Sequence, residues 1–150
     1  MSSDLYLTDE QEQHIIEAIA KAENRTSGEI RVHIEATCSS DPLERAARVF
    51  HILGMDETEL QNGVLIYIAT DDHKVAVYAG KGIHKQVEEG FWDNVLKLLV
   101  DHFKVENFEE GIALAVRKVG KKLEELYPRK KGNVNELTDE ISYHDNSKTK

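Results

Sequence analysis

Two periods of apolar and polar positions run along this chain, and the switches between them mark its elements. Thr8-Asp9-Glu10-Gln11 has the form of a capping box. Ile15, Ile16, Ala18, Ile19 and Ala22 follow at helical spacing, so a helix is expected to end near Arg25. Ser27-Gly28 breaks it. From Glu29 to Thr37 the period becomes two: Ile30, Val32, Ile34 and Ala36 alternate with Glu29, Arg31, His33 and Glu35. That pattern predicts a strand with one deeply buried face and one polar face. Asp41-Pro42-Leu43-Glu44 then starts a second helix, with Asp41 as N-cap and Pro42 at its first position. Leu43, Ala47, Phe50 and Leu53 form its apolar stripe, which stops at Gly54.

Val64 to Ala69 is apolar at nearly every position, as in a strand covered on both faces. Asp71 and Asp72 occupy a tight turn, and Lys74 to Ala79 supplies a further strand. Ile83 to Phe103 reads as one long helix carrying Val87, Phe91, Val95 and Leu98 on a face. Asn107 is the expected cap of a last helix, with Phe108, Ile112, Ala115, Val119, Leu123 and Leu126 inward and Pro128 as its stop. The Gly80-Lys81-Gly82 step reads as a tight turn needing unusual backbone angles. From Arg129 onward periodicity is lost, and 129–150 is expected to be a flexible polar tail after one domain spanning 1–128.

The element order is therefore α-β-α-β-β-α-α. A strand–helix–strand unit makes the first two strands parallel, and the tight turn makes the third antiparallel to the second. Helices on both faces of this small mixed sheet predict an α/β fold, a three-layer αβα sandwich.

Charge narrows the function. With 28 acids against 19 Lys and Arg, the net charge of −9 argues against a nucleic-acid partner, which needs a basic face. It also disfavours anionic membrane surfaces. The single Cys38 cannot form an internal disulfide. The polar, acidic start MSSDLYLTDEQEQ is unlike a signal peptide, and no apolar run nears the roughly 20 residues that cross a bilayer. The expectation is a soluble, cytoplasmic monomer without a membrane anchor.

The segments SGEIRV (Ser27 to Val32), NGVLIYIA (Asn62 to Ala69) and Gly80-Lys81-Gly82-Ile83, in this order of elements, resemble the TPM-domain family. The resemblance runs from about Leu7 to Tyr127. It implies an αβα sandwich and divalent-cation binding near the carboxyl ends of the strands. Some relatives are assigned acid phosphatase activity, among them a thylakoid-lumen protein linked to photosystem repair. Many relatives carry a signal sequence and a membrane anchor, neither of which is expected here. Their turn often reads Asp-Arg where this chain has Asp71-Asp72-His73-Lys74.

Ligands of open α/β sheets gather at the carboxyl ends of the strands. Here that edge should collect Cys38, Ser39, Ser40, Asp41, Asp71, Asp72 and His73, with Asp101 returning to it from the long helix. Ca²⁺ and Mg²⁺ take several oxygen ligands. Asp71, Asp72, Asp41 and Asp101 are therefore the candidate metal ligands, and His73 a candidate neighbour. Competing roles exist: Asp caps helices and builds turns, and Asp101 could be a solvated helix residue. His33, His51 and His102 lack ligand spacing with one another. Phosphatase chemistry finds no familiar nucleophile motif. Glu44 stands where a cysteine phosphatase has its Arg, and neither D-x-D-x-[TV] nor Arg-His-Gly is present. A metal-activated water is the remaining hydrolytic route. The leading expectation is a TPM-type domain binding Ca²⁺ or Mg²⁺ in a binding or regulatory role. The alternatives are a metal-dependent phosphatase and a metal-free protein-interaction module.

Overall fold

The computed structural model describes residues 7–129 and 141–144. Helix α1 (Asp9–Glu23) leads to strand β1 (Glu29–Glu35), helix α2 (Pro42–Ile52), a short 3₁₀ turn (Met55–Glu57) and strands β2 (Gly63–Ala69) and β3 (Lys74–Ala79). Helices α3 (Lys81–His84), α4 (Phe91–Lys104) and α5 (Phe108–Leu126) follow, and strand β4 (Ser142–His144) comes last. The sheet order is β3-β2-β1-β4. Strand β1 is parallel to β2, from Glu29 opposite Gly63 to Glu35 opposite Ala69. Strand β3 is antiparallel to β2.

The period-two alternation sorts two cores. Ile30, Val32, Ile34, Val64, Ile66 and Ile68 pack with Ile15 and Ile19 of α1, Val95 and Leu99 of α4 and Ile112 and Val116 of α5. Leu65, Tyr67 and Ala69 face the other way, onto Ala46, Val49 and Phe50 of α2. Three helices therefore cover one face and α2 covers the other, which is the αβα layering expected. Local signals act where they stand. Thr8 Oγ1 accepts from Gln11 N at 3.1 Å, and the Gln11 side chain accepts from Thr8 N at 2.9 Å. Asp41 Oδ2 accepts from the N–H groups of Leu43 and Glu44, both at 3.1 Å.

Five expectations change. The single long helix from Ile83 is two helices, because Gly90 takes a left-handed φ of 90° and starts α4 afresh. Gly80 has an ordinary φ of −66°, and its requirement is close approach: a Cβ there would lie 2.3 Å from Gln61 O. Gly82, inside α3, meets Leu60 O at the same distance. Asn107 occupies the N-cap position of α5 but its side chain makes no capping bond; its backbone N–H instead donates to His102 O at 2.9 Å. The polar face of β1 is buried too, except at the half-buried Arg31, with Glu29 2 %, His33 5 % and Glu35 0 % exposed. Finally, part of the segment expected to be a tail adds a fourth strand. Ser142 to His144 pair in parallel with His33 to Glu35, and Ile141 is buried in the larger core. The rest of that expectation, residues 130–140 and 145–150, falls outside the described residues.

Candidate functional site at the carboxyl edge of the sheet

Parallel pairing of β1 and β2 brings their carboxyl ends to one edge, and the ladder runs on past the strands. Thr70 N donates to Glu35 O at 2.9 Å, and Asp71 N to Ala36 O at 2.7 Å. The β1–α2 loop (36–41) and the β2–β3 turn (70–73) are thereby laced together. Asp72 Oδ2 accepts from Cys38 N at 2.7 Å. Lys74 Nζ donates to the carbonyls of Cys38 (2.9 Å) and Ser40 (3.3 Å). The loop thus presents carbonyl oxygens that already converge on a positive charge. Asp71, Asp72 and His73 are exposed, and His73 closes the turn with a φ of 55°.

The candidate ligands separate into two groups. Asp71 and Asp72 lie in the turn, and Asp72 reaches the facing loop. Asp41 stands at the end of that loop, with Oδ2 committed to the helix cap. Asp101 belongs to α4, in the layer across the sheet from α2, and pairs with Lys97 at 2.9 Å. Lys97 holds its carboxyl below the ordinary aspartate range. Among the described residues no group of three His, Cys, Asp or Glu side chains is placed to hold a metal ion. The oxygen-only donor set here (Asp71, Asp72, the carbonyls of Cys38 and Ser40, and water) matches the chemistry of a hard cation. Cys38 is buried, and its Sγ donates to Ser40 O at 3.3 Å, so it is not presented as a nucleophile.

Beneath the loop lies a buried network that the sequence reading missed. Arg45, on α2, grips Glu35 with Nε to Oε2 at 2.9 Å and Nη2 to Oε1 at 2.8 Å. Tyr67 Oη donates to Glu35 Oε2. His33 Nε2 lies 3.1 Å from Glu35 Oε1, and its Nδ1 lies 2.9 Å from Ser142 Oγ. Burial alone would push the Glu35 carboxyl up, but Arg45, His33 and Tyr67 hold it down at about 2. Burial first, then its bond to Glu35, pushes the Tyr67 hydroxyl up. Glu35 is the last residue of β1, so this network fixes the base of the 36–41 loop against α2 and β4. One signal was available: Tyr67 interrupts an otherwise aliphatic strand, two residues from its end.

On the other face of the same edge, a cavity of about 560 Å³ opens between the hairpin and the α4–α5 junction. Ile68, Val75, Phe103 and Phe108 line it, and Thr70, His73, Lys74, Lys104 and Glu106 are its polar members. Thr70 is 7 % exposed and its hydroxyl has no hydrogen-bond partner among the described residues.

The chain is an open α/β sandwich whose strand-end loops carry oxygen donors at one edge. The TPM domain model matches residues 2–122, and the chain belongs to that family. Its structure is similar to that of the BA42 protein from the psychrophilic bacterium Bizionia argentinensis. That match has a TM-score of 0.86 and 45 % identity, over 93 % of this chain and 96 % of that one. The N-terminal domain of a protein from P. gingivalis shares the fold with a TM-score of 0.67 and 18 % identity, over 81 % of this chain and 78 % of that one. The N-terminal domain of cg2496 from Corynebacterium glutamicum does so with a TM-score of 0.62 and 14 % identity, over 78 % and 74 %. Curated proteins gave no match. No helix among the described residues is long and apolar enough to cross a membrane.

Proposed function

We propose that this chain is a binding or regulatory domain that takes a divalent cation, Ca²⁺ or Mg²⁺, between the 36–41 loop and the 70–73 turn. Asp71 and Asp72 supply its charge. Cys38 and Ser40 supply carbonyl oxygens, Asp41 stands at the loop's end, and water completes the shell. Asp101 contributes only if it leaves Lys97. One observation carries the reading: carbonyls of the loop already converge on a cation, the Lys74 ammonium, beside a turn bearing two adjacent carboxylates. A divalent ion in this place competes with Lys74, which keeps the affinity modest and the site responsive to ion concentration. Membership of the TPM family supports the same edge.

The test is a Ca²⁺ titration followed by amide NMR. Residues 36–41 and 70–74 should shift and saturate, and Mg²⁺ should compete. A double variant, Asp71→Asn with Asp72→Asn, keeps an oxygen for Cys38 N–H yet removes both charges, and should abolish the response. A Lys74→Met variant should tighten Ca²⁺. Shifts that stay away from both loops at millimolar ion, or that survive the double Asn variant, would overturn the proposal. Bound ion also stabilises the native state by mass action, by about 2.7 kcal/mol at a hundredfold excess over Kd.

A further inference from the structure

On a chain with a net charge of −9, one groove is cationic. It lies between α1 and α5 and has a volume of about 300 Å³. Lys21 and Arg25 stand on its α1 side, and Arg117 and Lys121 on its α5 side, against a single acid, Glu124. None of the four cationic heads has a side-chain hydrogen bond or ion pair among the described residues. Lys21 and Arg25 have an ordinary reason to be there, since the carboxyl end of a helix favours cations. Arg117 and Lys121 lie before the last turn of α5. They sit mid-helix, four residues apart on one face, where like charges repel. Their neighbours are satisfied: Lys122 pairs with Glu88 and Glu125, and Lys118 lies 5.7 Å from the Phe91 ring centre.

The floor of the groove is small. Gly120 faces Ala22 so closely that a Cβ on it would lie 2.6 Å from Ala22 Cβ. Ala18, Ala22 and Gly120 bring the two helices together, so the four long cationic side chains share one concave space with no bulky residue between them. The geometry points to this α1–α5 groove as a binding site for a compact polyphosphate, such as free pyrophosphate or the diphosphate arm of a nucleotide. Two guanidinium forks suit paired phosphate oxygens. The occupant is small because the surrounding acidic surface repels an extended polyanion, whereas a ligand of the groove's own size meets only the local positive field. This site is separate from the cation site at the sheet edge and does not depend on it.

The experiment is an amide NMR titration of the full chain in low salt with a chelator, which silences the cation site. Pyrophosphate and ADP should both shift residues 18–25 and 117–124, with orthophosphate at least tenfold weaker and adenosine without effect. ADP binding more tightly than pyrophosphate would identify a nucleotide as the source, and equal affinity would identify the bare diphosphate. A double variant, Arg25→Gln with Arg117→Gln, should weaken pyrophosphate at least tenfold, and Glu124→Gln should tighten it about threefold. All three substituted side chains are exposed, and unchanged spectra elsewhere would verify the fold. Orthophosphate matching pyrophosphate, shifts outside the groove, or an unchanged affinity in the double Gln variant would overturn the site.

Discussion

Removing the Arg45 guanidinium would take from the buried Glu35 carboxylate its bidentate partner and leave it to Tyr67 and His33. Breaking one side of a buried pair costs about 3–5 kcal/mol. Arg45 itself reaches solvent, so Arg45→Met is expected near 3 kcal/mol by urea denaturation. The same carboxyl sets an acid limit. Its value falls from 4.5 to about 2 on folding, which is worth about 3 kcal/mol. A lowered folded value gives stability that is fully present above the unfolded range near 4.5 and is lost as pH falls from there towards 2. Glu35→Gln should therefore flatten the stability profile between those limits while lowering its plateau at neutral pH; a profile unchanged from the parent would refute the assignment. Thr70 presents the opposite case. Its buried hydroxyl has no partner among the described residues, so Thr70→Val removes a desolvation cost and should stabilise by about 1 kcal/mol.

At the scale of elements, the glycine that starts α4 and the glycine between α1 and α5 respond to substitution for different reasons. At Gly90 a Cβ would meet nothing within 4 Å, so Gly90→Ala carries only the left-handed strain, about 1 kcal/mol. Gly120→Ala instead forces α1 and α5 apart, at about 1–3 kcal/mol. A thermal melt of both variants should rank them in that order. The same elements show what a sequence can disclose. Periodicity located α1, β1, α2, β2, β3 and α5, because their apolar residues repeat with the period of the backbone. It failed at Gly90, where apolar spacing continues across the break and only the backbone angle interrupts it. It failed at Glu35 and His33, whose partners Arg45, Tyr67 and Ser142 come from three other segments that local patterns cannot relate. At the candidate site, the acidic turn and the loop facing it were legible from strand order. Lys74 as their shared cation was not, because its role depends on where the Cys38 and Ser40 carbonyls point.

For the whole molecule, the described chain reads as one sandwich with two proposed binding surfaces of opposite sign, the oxygen-rich sheet edge and the cationic α1–α5 groove. The core joining them extends to Ile141, far along the chain. Truncating this buried side chain, Ile141→Ala, should cost about 2–5 kcal/mol. A loss under 0.5 kcal/mol in urea would show that the segment from 141 adds nothing to the domain.

Strand β4 also imposes an order in time. His33 and Ser142 stand 109 residues apart in the chain, so β1 has its β2 partner long before its β4 partner can be made. Closing so long a loop comes late and slowly in folding. Until it closes, β1 is an edge strand, with backbone donors and acceptors open to any extended peptide nearby. A nascent chain synthesised as far as α5 therefore carries a nearly finished sandwich with one unsealed seam, and in a cell that seam is where a chaperone, or a second copy of the chain, would first take hold.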